Sequence, residues 1–208
     1  MDLLARVGIV AVVVVVFLSL ILFVSAPRSA QPLNKTQAVQ AVLNDVKANN
    51  TNALIGVVYV SNSTAEANSW QVVLSVVYNG TKPCPTLMIE GFDYPATGFV
   101  PTQSNLYTRG CIIYGISSAP SYVISSPYIA VARSYNSMYA PLVNYVNSFG
   151  YNYVNTSARF YQNVSPSFTP LNRSFSNVWI INYTASGAPY RQYAVFSQSG
   201  SALGNYTN

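Results

Sequence analysis

The chain of 208 residues contains no histidine, and only 7% of its residues are charged. Ordinary globular proteins carry about 25% charged residues. Without an imidazole, Ser-His-Asp and Cys-His catalytic arrangements, HExxH metalloprotease motifs and His-ligated zinc or haem sites are excluded. The sequence also contains no Gly-x-Gly-x-x-Gly, phosphate-loop or EF-hand motif. We therefore predict no catalytic residue, no metal site and no cofactor, and we do not expect an enzyme.

The scarcity of carboxyl groups predicts tolerance of acid. Protonating all five Asp and Glu side chains adds only five units to the formal net charge of +5, and no histidine titrates near neutrality. The basic residues stand singly, without a cluster, so the sequence does not indicate a nucleic-acid partner. We predict a surface protein that faces an acidic medium, as in an acidophilic archaeon, with hydroxyl, amide and sugar groups in place of carboxylates.

One long apolar run stands near the amino terminus. Residues 8–25 read GIVAVVVVVFLSLILFVS, which is long enough at about 1.5 Å per residue to cross the hydrocarbon layer of a bilayer. The apolar region of a signal peptide is shorter, and Pro27 discourages cleavage after the small residues before it. We predict a transmembrane anchor or uncleaved signal over residues 1–26 and an extended stalk over residues 27–35; cleavage stays open.

The asparagine residues indicate on which side of the membrane the rest of the chain lies. Nine of the twenty asparagines lie in Asn-x-Ser/Thr sequons, and all nine follow the apolar run. These sequons begin at Asn34, Asn49, Asn62, Asn79, Asn155, Asn163, Asn172, Asn182 and Asn205. We predict a single-pass membrane glycoprotein with residues 27–208 on the extracytoplasmic side. A surface that is rich in Asn, Ser and Thr but carries no sugar is the alternative.

The two cysteines, Cys84 and Cys111, favour the same compartment. An isolated even pair in an oxidising environment is most simply a disulfide, and closing this loop stabilises a fold by roughly 3–4 kcal/mol on the chain-entropy model. Two buried free thiols are the alternative. Lys82, in the sequence Lys-Pro-Cys-Pro, is interpreted as a turn residue.

Periodicity predicts an α+β protein with two helix-plus-antiparallel-sheet units after the transmembrane helix. The first unit covers residues 36–116, a Ser/Pro/Gly-rich connector covers 117–127, and the second unit covers 128–208. In the first unit we predict a helix from Thr36 and strands at 53–60, 70–78, 86–92 and 106–116, with Asn79-Gly80 as a hairpin turn. In the second we predict a helix over 128–149 that Pro141 kinks or splits, then strands within 151–161, 177–184 and 190–197.

Two short motifs resemble the PepSY and cystatin-like families. Trp70-Gln71-Val72 is similar to their Trp-x-Val strand, and the segment from Asp93 to Gly98 is similar to their Asp-x-x-Thr-Gly turn, with one residue more. The second unit has Ser199-Gly200 without the aspartate. The resemblance implies a helix packed on an antiparallel sheet and a non-catalytic binding or inhibitory role, since such domains occur in propeptides of secreted proteases.

The remaining chemistry favours recognition. Glu90 and Asp93 lie close together near a strand end, and we expect solvated side chains on opposite faces rather than an acid/base pair. Seventeen tyrosines, with Trp70 and Trp179, supply core and interaction surface. We predict a cell-surface binding or assembly module with a protein partner or self-association. The alternatives are an inhibitor or chaperone of a secreted protease and a structural envelope or filament subunit that exposes an edge strand.

Overall fold

The computed structural model describes residues 33–114 and 124–208. These residues form an α+β protein with three α-helices and two antiparallel sheets, as predicted. None of the described helices is long and apolar enough to span a membrane, and the predicted anchor lies outside the described residues, as does most of the stalk. The compact unit that holds both sheets runs from Lys35 to Asn208.

The first sheet has the strand order β1-β2-β3-β4-β5, so each strand pairs with its neighbour in sequence. Helix α1 precedes this sheet. The elements are α1 (Lys35–Asn49), β1 (Ala53–Asn62), β2 (Trp70–Tyr78), β3 (Thr86–Tyr94), β4 (Gln103–Arg109) and β5 (Ile112–Ile113).

The second sheet has the order β6-β7-β8-β9 and also follows helical segments. Its elements are α2 (Pro127–Asn136), α3 (Ala140–Phe149), β6 (Val154–Val164), β7 (Phe175–Ala185), β8 (Gln192–Ser197) and β9 (Ala202–Thr207). Short 3-10 turns at Tyr151–Tyr153 and Pro166–Phe168 flank β6.

Helix α1 covers one face of the first sheet. Its buried residues Ala38, Val42 and Val46 recur every four positions, which places them on one stripe of the helix. They pack against a cluster on alternate positions of β2 and on β3, made of Val72, Leu74, Val76 and Phe92. Because β2 also buries Val73 and Val77 on its opposite face, that strand lies between two cores.

Helices α2 and α3 fill the space between the two sheets. Their buried side chains join residues of the first sheet and of the second sheet in one cluster. Members of this cluster include Val77, Leu87, Ile129, Leu142, Tyr145, Trp179, Tyr183 and Phe196. The order of layers is therefore α1, first sheet, α2 with α3, second sheet.

The predicted helix over 128–149 is two helices. Ser126 accepts a hydrogen bond from the backbone N–H of Tyr128 and caps α2, and Pro127 occupies the first turn. The break falls between Asn136 and Ala140, just before Pro141, and Met138 there has a φ of 53°. Proline lacks a backbone N–H and tolerates the first turn of a helix, so Pro141 begins α3 instead of kinking one long helix.

The split at Pro141 was one of the two outcomes predicted there. Three details differ from the sequence prediction. The strand expected at 106–116 is two strands, because a turn at Gly110 and Cys111, both with positive φ, separates β4 from β5. Asn79-Gly80 begins a seven-residue loop to Thr86 rather than a two-residue hairpin. Strand β9 was not predicted; it forms by pairing with β8.

Candidate functional site

Strand β1 has a free edge. It pairs with β2 along one side, and no other strand of the described residues pairs with its second side. Its ten residues, ALIGVVYVSN, include no charged residue and no proline. Four large apolar side chains of this strand are close to half exposed: Leu54 at 55%, Val57 at 45%, Val58 at 50% and Tyr59 at 47%. Native proteins usually protect such an edge with charge, proline or shortness, because free N–H and C=O groups template pairing with another chain.

A β-bulge interrupts β1 between Val57 and Tyr59. Residues before the bulge and after it are therefore shifted by one position relative to β2. Gly56 pairs with Ser75 and Tyr59 pairs with Val73, so both lie on the face toward α2. The phenol of Tyr59 donates a hydrogen bond to Oε1 of Gln71 at 3.3 Å. Bulges recur next to binding sites, where they redirect a side chain.

A cavity of about 430 Å³ opens beside this edge. Its floor is the face of the first sheet toward α2, and its far wall is the start of that helix. Its lining residues are Val58, Tyr59, Val73, Ser75, Leu87, Ile89, Tyr107, Ser125, Ser126, Pro127, Tyr128 and Ile129. Because Val58 and Tyr59 belong to the edge strand and to the lining, the edge and the cavity form one continuous surface. Pockets of this size accept small ligands or large side chains.

The cavity wall is fixed by hydrogen bonds to the second sheet. The backbone N–H of Ile124 donates to the carbonyl of Gln198 at 2.7 Å, and the indole N–H of Trp179 donates to the carbonyl of Ile124 at 3.1 Å. These bonds hold the chain that leads into α2, so the wall formed by residues 125–129 is preorganised.

The lining carries apolar groups and hydroxyls but no carboxylate, ammonium or guanidinium group. Two of the hydroxyls serve the fold itself: Ser75 donates to the carbonyl of Gly56, and Ser126 caps α2. A charged group that entered here would lose its hydration without gaining a counter-charge from the lining. The cavity therefore suits an uncharged, largely apolar group.

The disulfide between Cys84 and Cys111 is present. It ties the loop between β2 and β3 to the turn between β4 and β5. The same loop contacts the second sheet, because the backbone N–H of Thr156 donates to the carbonyl of Thr81 at 2.6 Å. Lys82 adds bonds from its ammonium group to the carbonyl of Asn152 at 2.7 Å and to Oδ1 of Asn155 at 3.1 Å. Lys82 is thus a link between the two sheets and not merely a turn residue.

Most sequon asparagines lie at the surface. Eight of the nine are exposed: Asn34, Asn49, Asn62, Asn79, Asn155, Asn163, Asn172 and Asn205. The ninth, Asn182, is half-buried in β7, where it pairs with Ser157 and Tyr193, and its Oδ1 is buried. Glycosylation of all nine stays a prediction, and Asn182 offers the least accessible amide.

Glu90 and Asp93 do not form a pair. Glu90 lies opposite Leu74 and Asp93 lies opposite Gln71, so their side chains point to opposite faces, as expected. The expectation that both are solvated was wrong, because β3 continues to Tyr94 and Asp93 is only 4% exposed. Burial raises the pKa of Glu90 above its ordinary value.

Sequence reasoning missed the edge of β1 and the cavity. The apolar run from Ala53 to Val60 predicts a strand but not, by itself, an unpaired edge. The signal for an open edge is its lack of charge together with its place as the first strand of a meander, which commonly lies at the edge of its sheet.

The fold and the site together define an α+β protein with an exposed, uncharged edge strand beside an apolar cavity. Comparisons with protein-family models, with curated proteins and with solved structures found no match. Within the described residues no group of three or more His, Cys, Asp or Glu side chains is placed to hold a metal ion.

Proposed function

We propose that this chain is a membrane-anchored extracytoplasmic glycoprotein that serves as a non-catalytic binding and assembly module at the cell surface. In this proposal residues 1–26 are the anchor, and residues 36–116 and 128–208 are two helix-plus-sheet units. A protein partner binds by adding a strand to the free edge of β1. The observation that carries the proposal is the ten-residue uncharged edge with four half-exposed apolar side chains.

Strand addition would use the unpaired main-chain groups of β1 and the apolar cavity beside it. The main-chain groups of β1 that face away from β2 offer hydrogen bonds to an extended segment, which supply affinity. Alternate side chains of the added strand then lie over the cavity, which supplies selectivity for uncharged residues.

The distribution of sequons supports the free edge of β1 as the binding surface. Asn49 ends α1 and Asn62 ends β1, and no sequon lies between them. Sugars at these positions flank the edge and leave its central residues uncovered. An extracytoplasmic protein that is masked elsewhere by sugar keeps this edge for a partner.

The test compares complexes purified from the native membrane. We expect the full-length protein to run in a complex larger than one chain and Val58→Lys to reduce it to a single chain, because an edge lysine blocks strand addition. Ile112→Lys is the matched control, since Ile112 is 56% exposed on the opposite edge of the same sheet. The masses are measured by native mass spectrometry. A single-chain mass for the unmodified protein, or equal masses for both variants, would contradict the proposal.

A further inference from the structure

We infer that the occupant of the β1 edge is a second copy of this chain, joined by antiparallel pairing of the two β1 strands about a two-fold axis. This inference rests on the proposed function and names its partner. In the assembly, the ring of Tyr59 leaves Oε1 of Gln71, which its phenol contacts in the single chain, and lies over Gly56 of the other copy at the mouth of the cavity.

The positions of β1 side chains make this register self-consistent. Residues that face each other in antiparallel strands must point to the same face of the sheet. Leu54, Gly56, Tyr59 and Ser61 lie on the cavity side, because they pair with Val77, Ser75, Val73 and Gln71. A register that sets Tyr59 opposite Gly56 also sets Leu54 opposite Ser61, so these four cavity-side residues meet one another. The two-fold axis passes between the bulge residues Val57 and Val58, which face each other across it.

The opposite face of the strand fits the same register. Ile55 and Val60 pair with Val76 and Val72, which places both on the α1 side. The two-fold axis that joins Tyr59 to Gly56 sets Ile55 of one copy opposite Val60 of the other. Both pairs are apolar and β-branched, a combination that stabilises cross-strand contacts.

Gly56 provides the space for the partner's tyrosine. A Cβ atom at Gly56 would meet only the Oγ of Ser75 within 4 Å, at 3.2 Å, and Ser75 lines the cavity. At the Gly56 position, between Ser75 and the free edge, the cavity wall therefore has no side chain. An aromatic ring placed across from a strand glycine covers the exposed backbone, and here the ring of Tyr59 also covers the cavity mouth.

The absence of charge on this edge allows a second copy to approach. Neither β1 nor the cavity lining carries a charged side chain, so two identical edges meet without repulsion despite the net charge of +5. Isologous pairing of this kind closes as a dimer and leaves no further β1 edge, so it does not propagate.

The experiment traps the register between two differently tagged full-length copies. One copy carries Gly56→Cys and the other carries Tyr59→Cys; they are mixed in detergent and oxidised. Cysteines whose Cα atoms are more than about 7 Å apart do not bridge, so we expect roughly tenfold more covalent dimer than in the control mixture of Gly56→Cys with Leu54→Cys. The linked peptide is identified by mass spectrometry, which separates it from products of the native Cys84–Cys111 bond.

A second measurement does not depend on the Gly56 substitution. Analytical ultracentrifugation of the full-length chain should show a dimer that Tyr59→Ser weakens and Val58→Lys abolishes. A monomer at all concentrations, or equal trapping in both mixtures, would overturn the inference. If the complex from native membranes depends on Val58 but contains a different protein, the inference fails while the proposed function stands.

Discussion

The long edge strands of the two sheets are similar in length and opposite in protection. Strand β6 has eleven residues and carries Arg159 and two sequons, whereas β1 has ten residues, no charge and a sequon only at its last position. The loop between β2 and β3 also covers the start of β6, where Thr81 and Lys82 bind Thr156. The comparison shows that β6 is protected by a charged residue, by sequons and by a covering loop, whereas β1 lacks this protection.

The two remaining sheet edges are formed by short strands. Strand β5 has two residues, and β9 has six with the sequon Asn205. Short strands offer few main-chain groups to another chain. Of the four sheet edges in the described residues, β1 alone is long, uncharged and free of a sequon in its interior.

The outer faces of the sheets differ as well. Helix α1 covers the outer face of the first sheet. The outer face of the second sheet is covered only in part, by a short segment after β6 in which Leu171 contacts Gly204. On the same face Tyr193 and Tyr206 are half-buried against the cluster of Val178, Ile180 and Val195, and their rings stack at 4.7 Å. A helix therefore buries one outer face and a loop half-buries the other.

The largest effect should follow from removing the disulfide, which anchors the loop that guards β6. Replacing Cys84 and Cys111 together by Ser should lower the free energy of unfolding by about 3–4 kcal/mol, because the unfolded chain regains the freedom of a closed loop. Denaturant unfolding with and without reductant measures the loss, and the unmodified protein in reductant is the control. A loss under about 1 kcal/mol would show that the loop is held by its contacts with β6 and not by the cystine.

Strand β6 should become able to pair with another chain when its charge is removed. Arg159 is exposed on β6 and lies over the ring of Tyr161. We expect Arg159→Val, in a Val58→Lys background, to lower the dissociation constant for self-association through β6 about tenfold. The reason is that a charge no longer opposes pairing of β6 with another strand. Sedimentation measures it, and Arg173→Val, outside any strand, is the control. Unchanged sedimentation would show that the loop and the sequons protect β6 without Arg159.

The smallest effect concerns pH and Glu90, which lies on the helix-covered face of the first sheet. Burial raises its pKa in the folded state above the ordinary value of 4.5, so its contribution to stability is full below that value and is lost as pH rises through the folded pKa. We expect the thermal midpoint to fall slightly from pH 4 to pH 7, and Glu90→Gln to remove that fall. A midpoint that drops on acidification would contradict this sign and the predicted tolerance of acid.

The sequence predicted local structure better than it predicted the site. The strand from Trp70 to Tyr78 depends on the pattern of neighbouring residues, and its bounds were predicted correctly. Strand β9 was missed because Gly204 and Asn205 have weak strand propensity, and its pairing with β8 overrides that preference. The burial of Asp93 likewise depends on how far β3 extends.

The cavity and the free edge are properties of long-range arrangement. The cavity joins residues of β1 to residues of α2 that lie about seventy positions later, and no local pattern contains that contact. An edge is free because of what other strands leave unpaired. The composition of β1 nevertheless held a clue, because native proteins usually protect a long edge strand with charge or proline and β1 has neither.

One difference between the two long edges follows from the proposal: β1 pairs with another chain and β6 does not. Amide hydrogen exchange of the full-length chain, measured by mass spectrometry at low and high protein concentration, tests it directly. If β1 is the interface, residues 53–62 will exchange more slowly at high concentration, while residues 154–164 will exchange at the same rate at both concentrations. Exchange of residues 53–62 that does not change with concentration, or slowing of both strands alike, would contradict the claim.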